Sequence, residues 1–267
     1  MGGPALLTVF FKKCRTARRK NLIPAAGTAL LVWLAALAAP AMAADFSGIW
    51  MPRADLDAPL QADKLPLTHK AKEAVTSFDS RRQDSTRYCM PYGTPRNTLG
   101  TAPYPIEILQ TPERLTIIFD RLGDVRRVFL DGRERPKNLW PTWLGHSLGR
   151  WNKDTLSIET RAMTSESILS DQGLPHSDDM EISEKLSLVK RGGTELLQDQ
   201  ITITDPATYS VPIKTVRYFE RAPLDRMSEG SGLCLLDQWR KRLETRNRDL
   251  ALRAGVTDEA GSEGGGQ

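Results

Sequence analysis

The chain has 267 residues, 40% of them hydrophobic and 26% charged, with 37 Lys and Arg against 33 Asp and Glu for a formal net charge of +4. Six of those cations and no acid fall in residues 1–43, which leaves 31 basic against 33 acidic residues in the rest. That balance lacks the basic excess of a nucleic-acid binder, and three cysteines without C-x-x-C spacing lack a thiol-redox motif.

In chain order, residues 1–43 read as a signal peptide: a basic stretch from Lys12 to Lys20, an apolar run of about 15 residues, and Ala41-Met42-Ala43 as an A-x-A cleavage site. The apolar run is short for a membrane span of about 20 residues, so no stable span is expected after cleavage. A general secretory or a twin-arginine route is compatible with Arg18-Arg19. The expected location is periplasmic or secreted. Residues 44–253 are long enough for one domain around one core. Their two cysteines, Cys89 and Cys234, are expected to pair as a disulfide, with two free buried thiols as the alternative.

"DFSGIWMP" reads as a short strand, and its Gly48-Ile49-Trp50 resembles the G-x-W that opens lipocalin-type barrels. "LPLTHKAKEAVTSFD" has helical spacing, with Thr68 as N-cap and Ala71, Ala74, Val75 and Phe78 on one face. From Ile106 to Phe219 the period is mostly two, broken by turn residues such as Asn152-Lys153-Asp154 and Arg191-Gly192-Gly193. Seven or eight strands joined by short turns predict an all-β fold with minor α content. The expected architecture is an antiparallel meander closing into a lipocalin-like barrel or half-barrel, because closure removes exposed edges. A two-sheet sandwich is the second possibility. Flanking helices are expected at both ends, the C-terminal one around "LLDQWRKRLETRNRDLALR". The tail 254–267 is too polar to bury and is expected to be disordered.

Alternation along a strand sorts side chains by face. It places Glu184 with Met180, Ile182, Leu186 and Leu188, Asp199 with Leu197, Ile201 and Ile203, and Arg127 with Val125 and Phe129. If those faces point inward, the charges must pair with one another or meet a ligand. His146 lies among Trp140, Trp143 and Trp151, and His176 precedes Ser177 and Asp178, so each histidine could serve acid-base chemistry. His146, His176 and Asp178 match no zinc-ligand spacing, and no metal is expected. No nucleophile elbow, phosphate loop or dinucleotide fingerprint occurs, so no cofactor is expected either.

Taken together, "CMPYG" (89–93), "YPIEILQTPERLTII" (104–118), "RRVFLDGRERP" (126–136), "GHSLGRW" with "DTL" (145–156), and "PHSDDM" followed by Glu184 resemble a family of exported bacterial proteins common in proteobacteria and acidobacteria. The similarity covers roughly residues 89–212. It implies export and no particular activity, and it marks Glu107, Arg126, Asp131, His146, His176 and Glu184 as the polar positions of interest. Two positions depart from the pattern: the turn Asn152-Lys153-Asp154 lacks the usual glycine, and Lys185 stands in place of arginine.

The expected function is binding of a small, partly apolar molecule within the barrel, with Arg127, Trp140, Trp143, Glu107 and Asp131 as ligand contacts. The alternative is a cofactor-free lyase, isomerase or hydrolase using His146, His176, Asp178 and Glu184 in the same cavity. A packed scaffold or interaction module is the third reading. The two histidines are expected to converge at one end of the barrel.

Overall fold

The computed structural model describes residues 44–100, 104–227 and 236–253. Its strands are β1 (Gly48–Pro52), β2 (Ile106–Gln110), β3 (Arg114–Phe119), β4 (Val125–Phe129), β5 (His146–Asn152), β6 (Thr155–Arg161), β7 (Glu181–Arg191), β8 (Thr194–Thr204) and β9 (Ile213–Ala222). Each pairs with its successor, and β9 pairs back onto β1, closing the sheet into a nine-stranded barrel. The all-β, lipocalin-like expectation holds in its closed form, and the sandwich does not.

One pair differs from a pure meander: β4 and β5 run parallel, with Val128 opposite Ser147. The connection 130–145 is far longer than a hairpin turn and carries the chain back to the end where β4 began. This reversal is what permits closure. An odd number of strictly alternating strands would bring β1 and β9 together in parallel. A single parallel pair restores the antiparallel pairing observed between them.

The hairpins follow the turn residues. Gly192 and Gly193, at φ 55° and 84°, turn β7 into β8, whereas Lys153 adopts φ 53° between β5 and β6, a conformation that glycine holds without steric cost. Among the described residues, α1 (His69–Thr76), α2 (Ser80–Gln83) and α3 (Gly93–Leu99) lie between β1 and β2, so the N-terminal helices are an insertion after the first strand. The Thr68 side chain caps α1 by accepting a hydrogen bond from the Ala71 N–H at 3.4 Å. The last helix, α4 (Leu236–Arg253), lies against the 85–88 turn, where Arg242 donates to the Arg87 carbonyl at 2.6 Å. No helix among the described residues is long and apolar enough to cross a membrane.

Two apolar clusters fill the molecule. One occupies the barrel toward the start of β1, around Trp50, Ile108, Leu115, Val128, Leu156 and Leu197; the Trp50 indole N–H donates to the Phe46 carbonyl at 2.8 Å. The other lies at the opposite end, where Ile182, Ile201, Ile203 and Ile213 meet Leu67, Ala71, Leu99, Met163 and Leu174 from the helical and loop segments. Residues 1–43, Cys234 and the tail 254–267 lie outside the described residues, so the leader, the cysteine partner and the disordered tail remain expectations.

Candidate functional site

Between the two apolar clusters the barrel carries a layer of charge. Along β7, Ile182 belongs to one cluster and Leu186 to the other, with Glu184 between them; Asp199 on β8 and Arg217 on β9 hold the equivalent positions. The fourth charge is Arg126 on β4, only 1% exposed. Its guanidinium forks onto Glu184, with Nη1 donating to Oε1 at 2.9 Å and Nη2 to Oε2. Its remaining donors reach Ser147 Oγ at 3.1 Å, Thr160 Oγ1 at 2.8 Å and Thr98 Oγ1 at 3.4 Å. Arg217 donates from Nε to Asp57 Oδ2 at 3.2 Å and from Nη1 to the Thr98 carbonyl, also at 3.2 Å.

Asp199 is the unbalanced member. Its Oδ1 has no hydrogen-bond partner among the described residues. Burial pushes its carboxyl well above the ordinary range, and the negative charge of Glu184 adds to the effect, against the opposing fields of Arg126 and Arg217. Two guanidiniums are already matched by the carboxylates of Glu184 and Asp57, so a proton kept on Asp199 leaves the layer neutral.

Reading strand parity placed Glu184 and Asp199 inside, where they are. It placed Arg127 inside, and the structure corrects this: Arg126 and Val128 face the interior of β4, and Arg127 is exposed. The pattern misled because the outer face of β4 is itself covered. Phe129 packs there against the His146 ring, 5.4 Å between centroids, and beneath the Arg133 guanidinium at 3.9 Å. Arg126 was marked only by the family resemblance.

The two histidines occupy different surroundings and share no partner among the described residues. His146 points outward from β5, since its neighbour Ser147 points inward; Arg135 donates to its carbonyl and lies 3.3 Å from Nδ1. Burial lowers its pKa, and the positive charge of Arg135 lowers it further. His176 is buried in the segment between β6 and β7, with Nε2 2.7 Å from Ser167 Oγ and Nδ1 2.8 Å from the Ser177 carbonyl. Burial also depresses its pKa, against the Ser177 carbonyl bond. Asp178 accepts from the Ser165 N–H at 2.6 Å and makes no hydrogen bond to this imidazole among the described residues, though its negative charge, like that of Asp205, raises the His176 pKa. Ser167 is 1% exposed, so the Ser167–His176 contact is a buried bolt without access for a substrate. The proposed single cavity for His146, His176, Asp178 and Glu184 is therefore not assembled.

The other expected contacts also scatter. Trp140 is 86% exposed, and Trp143 is half-buried with its carbonyl accepting from the Thr94 N–H. Glu107 is half-buried on the outward face of β2. Asp131 sits in an exposed turn, bound by Arg133 at 2.6 Å. Among the described residues no group of three or more His, Cys, Asp or Glu could hold a metal ion.

The structure does form a cleft of about 610 Å³ at the helix-capped end of the barrel, where α3 meets the rims of β2 and β3. α3 is fixed by Asp124, whose Oδ2 accepts from the Gly93 N–H at 3.0 Å and from Asn97 Nδ2 at 2.7 Å. Gly93 is required here: its φ is +73°, and a Cβ would stand 2.5 Å from the Trp143 carbonyl oxygen. Leu99, Ile106, Phe119 and Phe219 supply apolar walls, while Tyr92, Tyr104, Arg96, Arg121 and Arg217, with the carboxylates of Asp120 and Asp171, supply polar ones. Arg96 is tied to Asp84 at 2.8 Å. Arg121 bonds to the Tyr104 hydroxyl and lies over the Tyr104 and Tyr92 rings at 4.7 and 5.4 Å. Among the described residues it forms no ion pair. Burial pushes the Tyr92 phenol up, favouring its neutral, hydrogen-donating form.

Sequence reasoning missed these residues as a site. Tyr92 lies within the quoted "CMPYG", but nothing local to that motif points to Arg121 or Phe219, which reach it only through barrel closure. No family model matches the chain, and no curated protein matches it either.

Proposed function

We propose that this chain is an exported, lipocalin-like barrel that binds a small, partly apolar molecule at the mouth cleft. The observation that carries the reading is the cleft itself, in which two phenylalanines and two aliphatic side chains face two phenols and the guanidinium of Arg121. The described barrel interior is occupied by side chains of the two apolar clusters and the charged layer, which favours the mouth over the lumen as the place of binding. The dispersal of the four acid-base candidates favours binding over catalysis in a shared cavity. Export suits the disulfide at Cys89, and Cys234 is its natural partner once a leader carrying Cys14 is removed.

Arg121 gives the ligand a preferred polar group, an acceptor or an anion, at one end of an apolar body. The test is native mass spectrometry of the mature protein from its own envelope, followed by titration with 8-anilinonaphthalene-1-sulfonate as an apolar anionic probe. Arg121→Ala is expected to weaken probe binding about tenfold, equivalent to ~1.4 kcal/mol. Equal binding by wild type and variant, with no native mass adduct, would remove the reading.

A further inference from the structure

The outward face of β5–β9 carries a second concavity, an open groove of about 940 Å³ that shares no lining residue with the mouth cleft. Strand register sets its contents. One row across neighbouring strands reads Arg150, Ser157, Lys185 and Gln200, and the next row brings Thr202 beside Lys214. Arg150, Lys185 and Lys214 are exposed, and among the described residues none of them forms an ion pair. The groove's exposed-side carboxylate, Glu159, is already held by Arg135 at 3.3 Å and Arg161 at 3.2 Å. Glu184, at its floor, is neutralised from inside by Arg126. The groove thus presents three uncompensated cations on a chain that has more acids than bases beyond residue 43.

We propose that this groove binds a linear acidic polysaccharide. Neighbouring strands lie about 4.8 Å apart, so Arg150 and Lys185, two strands apart, stand on the order of 10 Å from each other. Such cations suit a chain bearing carboxylates or sulfates at intervals. Between them lie the hydroxyls of Ser157 and Thr202 and the amide of Gln200, short polar groups that suit sugar hydroxyls. A single-stranded nucleic acid would need open aromatic faces for its bases. The groove's aromatic residue, Tyr218, has its ring covered by the Arg191 guanidinium at 4.2 Å and its hydroxyl bonded to Arg191 and Gln198 at 2.6 and 2.9 Å. Charge complementarity calls for a polyanion, and among the described residues the groove offers no open stacking face, which selects the sugar polyanion over the nucleic acid.

The experiment is calorimetric titration of the full mature protein with polygalacturonate, neutral dextran and oligodeoxythymidine, at low and high salt. Wild type is expected to bind polygalacturonate alone, with affinity falling as salt rises. The double variant Lys185→Glu, Lys214→Glu is expected to bind it about tenfold more weakly or worse, with an unchanged melting temperature. If that variant fails to fold, Lys185→Gln with Lys214→Gln is the substitute, expected to weaken binding in the same direction. Arg121→Ala is expected to bind polygalacturonate as wild type does, which separates this groove from the mouth cleft. The proposal is overturned if wild type ignores polygalacturonate at low salt, if the folded variants bind it undiminished, or if oligodeoxythymidine binds as tightly.

Discussion

Arg126 shows how much one side chain can organise. It satisfies a carboxylate, two hydroxyls on the adjacent strands β5 and β6 and one hydroxyl from α3, so its removal strands Glu184 in a dry interior. Arg126→Met is expected to cost ~3–5 kcal/mol in urea unfolding, and the double variant Arg126→Met, Glu184→Leu to recover most of it. A double variant no better than the single would show that the pair specifies the barrel beyond its charge balance. Asp199 yields a pH prediction with a definite sign. Its native pKa is raised, so native protein keeps a proton that the unfolded chain releases in the ordinary carboxyl range. Its contribution is present at low pH and is lost as pH climbs from that range through the raised native value. Asp199→Asn removes the ionisable proton at nearly unchanged side-chain volume. It is expected to flatten this decline in unfolding free energy measured from about pH 4 to 9. A wild-type curve with no such decline would show that Asp199 is ionised in the native state.

At the scale of single elements, alternation was a sound guide wherever one face of a strand is wet. β7 and β8 place Glu184 and Asp199 on their apolar faces, and both are buried. β4 is the counterexample, since Phe129 makes its outward face as apolar as its inward one and the period alone offers two answers. β5 adds a steric condition invisible in the sequence. A Cβ on Gly149 would lie 2.5 Å from Leu130 Cδ2 and 2.9 Å from Val128 Cγ1, so the glycine lets β4 and its following residue pack across the parallel pair. Gly149→Val is expected to destabilise the barrel by about 1–3 kcal/mol, read as a lowered melting temperature. A melting temperature equal to wild type would mean that the parallel junction yields without cost.

For the whole molecule, closure is the governing fact. β1 contributes only five residues, yet it seals β2 to β9 and buries Trp50 completely. Deleting residues 44–52 would expose two strand edges and remove that indole, so the shortened chain is expected to aggregate on size-exclusion chromatography. A monodisperse, folded product would show that β2 and β9 can pair without it. The sequence by itself determined the β-rich class, the main turns, the cap of α1 and the inward carboxylates, because each depends on local periodicity or on a residue's own backbone preference. Only the tertiary structure decided which arginine of β4 meets Glu184, that the two histidines have different hydrogen-bond partners, and that Tyr92, Arg121 and Phe219 face one cleft. Those outcomes depend on what covers each face and on which strands become neighbours through a long connection and a closing pair, relations between segments far apart in the chain that no local pattern encodes.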